Sequence, residues 1–289
     1  MSHLLCFGLG FSARVLAARL AAKGWHITAT SRSSDGADQI RASGYRAFVF
    51  DGSVPLPAGA CEGVTHVVIS APPGADGDPV LRQHADEFAS RARQFQWVAY
   101  LSTTGVYGDH AGALVTEETP LTPNTERGHK RLLAETQWLE LWRSGGLPVH
   151  IFRLAGIYGP GRNQLLPLID GTAKRVIKEG QIFSRIHVED IANVLEASIA
   201  RPDPGRAYNV CDDEASPPQD VVEYGARLLG LPVPPAIAFA EAELSPMARS
   251  FYADSKRVSN ARLKEELGVR LSYPSYREGL AAIARALRS

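Results

Sequence analysis

Cysteine is scarce in this chain of 289 residues: Cys6, Cys61 and Cys211 are the only three. An odd number at wide spacing gives neither a disulfide framework nor a metal-ligand pattern, so each is read as a small buried apolar residue. Net charge is absent as well, because Lys+Arg 31 balances Asp+Glu 31. That balance removes the electrostatic case for nucleic acid or an anionic membrane, although local arginines can still serve a small anionic substrate. No apolar run approaches the roughly 18 residues of a membrane span, and the N-terminus enters its first apolar run with neither a basic region nor a cleavage site. The expectation is a soluble, cytoplasmic protein with a small-molecule substrate, no nucleic acid and no membrane partner. Internal repeats and low-complexity tracts are also missing, and Pro55 to Pro57 and Leu231 to Pro235 read as surface connections.

What is present is a 45% hydrophobic content over a length that suits a full α/β core plus a smaller lobe. The first thirty-two residues say most. An apolar run His3 to Phe7 is followed by Gly8-Leu9-Gly10-Phe11-Ser12-Ala13, an amphipathic stretch to Lys23, Gly24, and a second apolar run ending at Arg32. This is strand, glycine turn, helix, strand. Gly8 permits the sharp turn, Gly10 lets a pyrophosphate approach the backbone at the helix N-terminus, and Ala13 lets the helix pack closely on the strand. Cys6 and Phe7 before the turn, and Val15, Leu16, Ala18 and Leu20 after it, supply the flanking context that separates a dinucleotide site from an ordinary tight turn.

The end of the second strand bears on which dinucleotide binds. An NAD site places Asp or Glu about 20 residues past the glycines, for the ribose 2′-hydroxyl; an NADP site prefers a cation for the 2′-phosphate. Here the chain reads Thr30-Ser31-Arg32-Ser33, with no carboxylate until Asp35. Ser31 and Arg32 therefore favour NADP, with NAD kept open.

Further along, Tyr45 to Phe50 and Thr65 to Ala71 read as strands whose ends, at Asp51 and at Ser70-Ala71-Pro72, face the same edge. Asp51 is a candidate for the adenine amine or a simple turn former, and Ser70, Ala71 and Pro72 line the ribose side. Pro79 to Phe95 is an expected helix, Trp97 to Ser102 a strand, Arg127 to Trp142 a helix and Val149 to Leu154 a strand. Beyond Gly156 come short strands at Arg175 to Ile177 and Gln181 to His187, a helix Val188 to Ile199, a strand Tyr208 to Val210, and helices Gln219 to Leu229 and Ser255 to Leu267. The order predicts an α/β fold: a Rossmann-type doubly wound parallel sheet with a smaller mixed α/β C-terminal lobe. Residues 1–156, with later contributions from about 186–212, are expected to bind the cofactor, and 157–289 mainly the substrate.

Four motifs in order resemble the extended short-chain dehydrogenase/reductase superfamily, also called the NAD-dependent epimerase/dehydratase family. They are Leu101-Ser102-Thr103-Thr104-Gly105-Val106-Tyr107-Gly108-Asp109, Arg153 with Ile157-Tyr158-Gly159-Pro160-Gly161-Arg162, Arg185-Ile186-His187-Val188-Glu189-Asp190-Ile191-Ala192, and Tyr208-Asn209-Val210. The resemblance covers almost the whole chain and implies a catalytic Ser/Thr in the first motif. The catalytic helix departs from it. The family's Tyr-Gly-x-x-Lys-x-x-x-Glu puts tyrosine and lysine on one face, so that the lysine lowers the tyrosine pKa. This chain has Arg127-Gly128-His129-Lys130-Arg131-Leu132-Leu133-Ala134-Glu135, and anchoring on Gly128 and Glu135 puts Arg127 and Arg131 at those two positions. A one-residue shift would pair Glu126 with Lys130 but lose the framing glycine and glutamate. Arginine holds its proton far above physiological pH and cannot replace the tyrosine as an acid or base.

Two functions follow. One is an atypical NADP-dependent oxidoreductase, isomerase, epimerase or dehydratase acting on a small polar, anionic or nucleotide-linked substrate. There Thr103 and Tyr107 orient the substrate, and Arg127 and Arg131 supply charge or make structural hydrogen bonds. The alternative is a non-catalytic NADP(H)-binding sensor or scaffold. His187 and Asp190 read as structural, with Asp190 orienting its own helix start, and His129 as solvated. Trp138 and Trp142, four apart, fit either packing on the sheet or a two-fold helical interface, which leaves a homodimer open.

Overall fold

Apolar runs of four to seven residues, closed by glycine or polar turns, become the central strands. The computed structural model describes residues 2–288. The first half of the chain runs β1 (His3–Phe7), α1 (Phe11–Ala22), β2 (His26–Ser31), α2 (Ser34–Ala42), β3 (Arg46–Val49), β4 (His66–Ile69), α3 (Pro79–Ser90), β5 (Trp97–Thr103), β6 (Leu114–Val115), α4 (Glu126–Gly145) and β7 (Val149–Leu154). The second half runs β8 (Gly156–Tyr158), α5 (Leu165–Ile169), β9 (Arg175–Ile177), β10 (Arg185–His187), α6 (Val188–Ala200), β11 (Ala207–Val210), α7 (Pro218–Leu229), β12 (Ala236–Ala238), α8 (Pro246–Phe251), β13 (Arg257–Val258), α9 (Ala261–Leu267) and α10 (Tyr276–Ala286).

The chain divides into two compact units. The first comprises Met1–Thr103, His129–Arg153 and Ala192–Tyr208, and the second Thr104–Gly128, Leu154–Ile191 and Asn209–Ser289. This partition gives residues 104–128 to the second unit, whereas the sequence placed the whole of 1–156 together. The first unit holds the seven-stranded sheet, ordered β11-β7-β5-β4-β1-β2-β3. β1 pairs in parallel with β2 on one side and β4 on the other, with Cys6 opposite Ala29 and Val68. Strand order therefore reverses at β1, and in such sheets the crevice at the carboxyl ends beside that strand is where ligands bind. Leu4 to Phe7 and Val67 to Ile69 are fully buried, as strands covered on both faces must be.

Helix α4 lays Trp138 into this core, edge-on to Phe88 at 5.4 Å and stacked on Tyr100 at 6.4 Å. Trp142 packs on Gly205, where a Cβ would come within 2.4 Å of the indole. Both tryptophans are thus engaged in packing within the unit.

The second unit is made of three two-stranded parallel pieces, β8 with β10, β9 with β12 and β6 with β13. Its core includes Tyr158, Leu165, Val221, Tyr276, Leu280 and Ile283. Two expectations fail here. Ser255 to Leu267 is not one helix: Arg257–Val258 is drawn into a strand against Leu114–Val115, and helix α9 begins only at Ala261. Of Gln181 to His187 only Arg185–His187 is a strand, because Phe183 instead bridges to Ser216. In the first unit, the helix expected to reach Phe95 stops at Ser90.

Candidate dinucleotide site

The turn after β1 is shaped by its glycines and by two hydroxyls. Gly8 has φ +86°, a conformation L side chains rarely adopt. Its N–H donates to Thr30 Oγ1 at 2.9 Å, and its carbonyl accepts from Ser70 Oγ at 2.6 Å. The ends of β2 and β4 therefore clamp the turn from either side. Gly10 is exposed and opens helix α1 with no side-chain cap and no acidic residue in the first turn. A Cβ on Gly10 would meet nothing nearer than Ser70 Oγ, at 3.9 Å, so the protein itself does not require glycine there. Ser12 and Ala13 are buried, and Ala13 lets α1 lie close to the sheet. Phe11 is half-buried. An open glycine, an uncapped helix start and a close-packed alanine fit a pyrophosphate group.

At the end of β2, Arg32 is exposed and Ser31 half-buried. Ser31 Oγ packs against Gly36, where a Cβ would fall only 2.1 Å away. Ser33 caps α2 by accepting from Gly36 N at 3.2 Å, so its hydroxyl belongs to the helix start. Asp35, the first carboxylate beyond β2, lies in the first turn of α2. Past β3, Asp51 Oδ1 accepts from Ser53 N at 2.8 Å and Ser53 Oγ at 2.6 Å. These bonds hold its carboxyl below the usual range and make it a turn former. Ala71 is half-buried and Pro72 exposed, just beyond β4.

Thr103 ends β5 and is half-buried. The same strand end is fastened to α4 by Arg131 and by Glu135, which the sequence noted only as framing. Arg131 Nη1 donates to the Leu101 carbonyl at 2.6 Å and to Tyr100 Oη at 3.2 Å. One turn on, Glu135 accepts from Ser102 Oγ at 2.5 Å and forms a buried ion pair with Arg153, Nη2 to Oε2 2.9 Å. The framing glutamate thus locks α4 to β5 and β7, and Gly128 is equally constrained, a Cβ there coming within 2.8 Å of the Gly105 carbonyl.

In the second unit, Tyr107 is fully buried and its hydroxyl donates to Asn209 Oδ1 at 2.8 Å. Arg127 is exposed and lies over the Phe251 ring, 5.2 Å from its centroid. Of the four candidate catalytic residues, Thr103 and Arg131 belong to the first unit and Tyr107 and Arg127 to the second. His129 is exposed. Asp190, in the first turn of α6, accepts from Ser272 N at 2.7 Å and Tyr273 N at 2.9 Å. His187 is buried between Tyr158 and Tyr273, its pKa lowered by that burial. One Tyr-x-x-x-Lys spacing does occur, at Tyr252 and Lys256. It lies past the end of α8, and the Lys256 ammonium is tied to the Gly108 carbonyl at 2.7 Å and to Asp254 at 2.8 Å.

Residues 87–211 match the profile of the NAD dependent epimerase/dehydratase family. Over 286 residues the chain is 30% identical to Protein YeeZ of Escherichia coli K12, covering 95% of this chain and 97% of that one. A functionally unknown conserved protein from Silicibacter pomeroyi is 56% identical over 100% of both chains, with a TM-score of 0.92. The dTDP-glucose 4,6-dehydratase of Bacillus anthracis, solved with NAD, superposes with a TM-score of 0.79 over 100% of this chain and 97% of its own, at 18% identity, which is likeness of fold. This chain belongs to the NAD-dependent epimerase/dehydratase family.

Proposed function

We propose that the protein is an NADP(H)-dependent enzyme of this family, an oxidoreductase or isomerase acting on a small polar, anionic substrate without the family's tyrosine acid-base step. The observation that carries the cofactor choice is the end of β2: an exposed Arg32 stands there, and the first carboxylate, Asp35, belongs to the following helix. In this reading Gly8, Gly10, Phe11, Ser12 and Ala13 hold the pyrophosphate, Ser31 and Arg32 the 2′-phosphate, and Ser70, Ala71 and Pro72 the ribose side. The bound nicotinamide would supply hydride exchange.

The chain's own residues supply position and charge. Thr103 offers the substrate oxygen a hydroxyl at the end of β5. Arg131 fixes that strand end through Leu101 and Tyr100 and sets its guanidinium beside it. Tyr107 acts as a positioning residue through Asn209, and Arg127 adds a second fixed cation. The second unit recognises the substrate. The competing function, a non-catalytic NADP(H) sensor, draws support from the engagement of Arg131 by backbone and tyrosine, where the family's lysine would assist a proton transfer.

The test is NADPH oxidation against a panel of carbonyl compounds, for the wild type and Thr103→Val. The enzymatic reading requires substrate-dependent oxidation that falls at least about 100-fold in the variant, with NADPH affinity unchanged. A wild type that binds NADPH yet oxidises it with no carbonyl compound in the panel supports the sensor.

A further inference from the structure

The central sheet carries polar chemistry at the amino ends of its strands as well as at the carboxyl ends. In the parallel register His3 stands opposite His26, and Thr28 opposite Arg46. Side chains two apart along a strand share a face, so His3 of β1, His26 and Thr28 of β2 and Arg46 of β3 all project from one face of the sheet. The contacts agree with that register. The His3 and His26 rings meet edge-on with centroids 6.0 Å apart, and His3 Nε2 and Thr28 Oγ1 share a hydrogen bond at 2.8 Å. A cleft of about 430 Å³ opens here, with these four residues, Trp25 and Tyr45 in its lining. Its size falls in the range of small-molecule pockets. About 13 Å of strand, from His3 to Phe7, separates it from the glycine turn.

The cleft is of one sign. Among the described residues its lining holds two imidazoles and a guanidinium and no Asp or Glu. Arg46 is exposed, its guanidinium carbon lies 4.8 Å from the Phe48 ring centroid, and it has no carboxylate partner among the described residues. Burial lowers the His3 pKa, and His26 and then Arg46 lower it further. The charges of β2 and β3 are thus both felt at one imidazole, which Thr28, fully buried, and the Gly63 backbone hold in place. Like charges gathered in one cleft repel each other until an anion joins them.

We propose that this cleft binds a phosphate monoester, its phosphate met by His26 and Arg46 beside the His3 ring and its organic part filling the remaining space towards Trp25 and Tyr45. A phosphate monoester carries a charge of about −1.5 to −2 at pH 7 and three acceptor oxygens, which answers two cationic side chains where a monocarboxylate answers one. The guanidinium fork of Arg46 matches phosphate oxygens in geometry. The volume is many times the roughly 30 Å³ of a water molecule, so a phosphate ion alone would leave most of it empty, and this selects an ester over the free ion. The site owes nothing to the cofactor reading, since none of its residues belongs to the glycine turn or to the carboxyl end of β2.

The test is calorimetric titration of the full chain with phenyl phosphate, glycerol phosphate, inorganic phosphate and succinate. The proposal expects at least one of the two esters to bind about tenfold or more tightly than inorganic phosphate and succinate. Arg46→Gln and His26→Gln should each weaken that ester by about tenfold, and both variants, at exposed positions, should keep the wild-type thermal midpoint. No binding of either ester, inorganic phosphate or succinate bound as tightly as the esters, or ester affinity unchanged by either substitution overturns it. NADPH titrated into Arg46→Gln separates the two sites: loss of ester affinity with NADPH binding unaltered is the expected result, and a parallel loss of both overturns a separate site.

Discussion

Removing the Glu135 carboxylate is expected to be among the most damaging single changes in the first unit. Glu135 and Arg153 are 1% and 6% exposed, so water cannot replace a lost partner. The carboxylate accepts from Arg153 Nη2 at 2.9 Å, from Arg153 Nε at 3.2 Å and from Ser102 Oγ at 2.5 Å. Glu135→Leu removes the Glu135 counter-charge from a buried guanidinium, at a cost of about 3–5 kcal/mol, plus about 1 kcal/mol for the Ser102 hydroxyl that loses its acceptor. Glu135→Leu/Arg153→Met removes both charges and should recover most of that loss, giving a coupling energy of at least about 2 kcal/mol. Urea unfolding followed by the emission of Trp97 and Trp138, both buried in this unit, reads the cost. A single variant that loses less than about 1 kcal/mol, or losses that simply add in the double variant, would refute the argument that this pair locks α4 onto β5 and β7.

The two glycines of the turn should separate folding from binding. Gly8→Ala forces a Cβ into φ +86° and to 3.1 Å from Ser70 Oγ, and should lose about 1–2 kcal/mol of stability. Gly10→Ala should unfold within about 0.5 kcal/mol of the wild type while losing NADPH affinity at least tenfold; unaltered affinity would mean that no ligand approaches there. Stability should also fall in mild acid. Burial lowers the His150 pKa to about 4 from 6.5, so between those values the unfolded chain takes up a proton that the folded one refuses. That contribution is intact above pH 6.5 and is lost as pH falls towards 4. At pH 5 it amounts to about 2 kcal/mol, and His150→Leu should show a correspondingly smaller drop between pH 7.5 and 5.0 in urea unfolding.

The sheet was legible because its signal is local. Leu4 to Phe7 and Val67 to Ile69 are apolar runs ended by turn residues, and buried parallel strands need little else. The glycine turn was legible for the same reason, although the clamps on Gly8 come from Thr30 and Ser70, far off in sequence. Arg257–Val258 escaped because only pairing with Leu114–Val115 makes it a strand, while the residues from Ala261 onward are good helix formers. Helix α10 carried a readable signal that went unused, the capping box of Ser275 and Glu278 followed by Leu280 and Ile283. At the site, the framing of Arg127 and Arg131 by Gly128 and Glu135 was visible in sequence. What each arginine touches was not, since Leu101, Tyr100 and Phe251 are brought to them by the fold.

The cofactor claim is tested most directly by calorimetric titration with NADPH, NADP⁺, NADH and NAD⁺, repeated on Arg32→Ala. Tighter binding of the phosphorylated pair, weakened about tenfold or more by the substitution while NADH and NAD⁺ are unaffected, is the predicted result. Preference for NAD(H) with no effect of Arg32→Ala would contradict the NADP assignment, and no binding of any of the four would contradict the dinucleotide site itself.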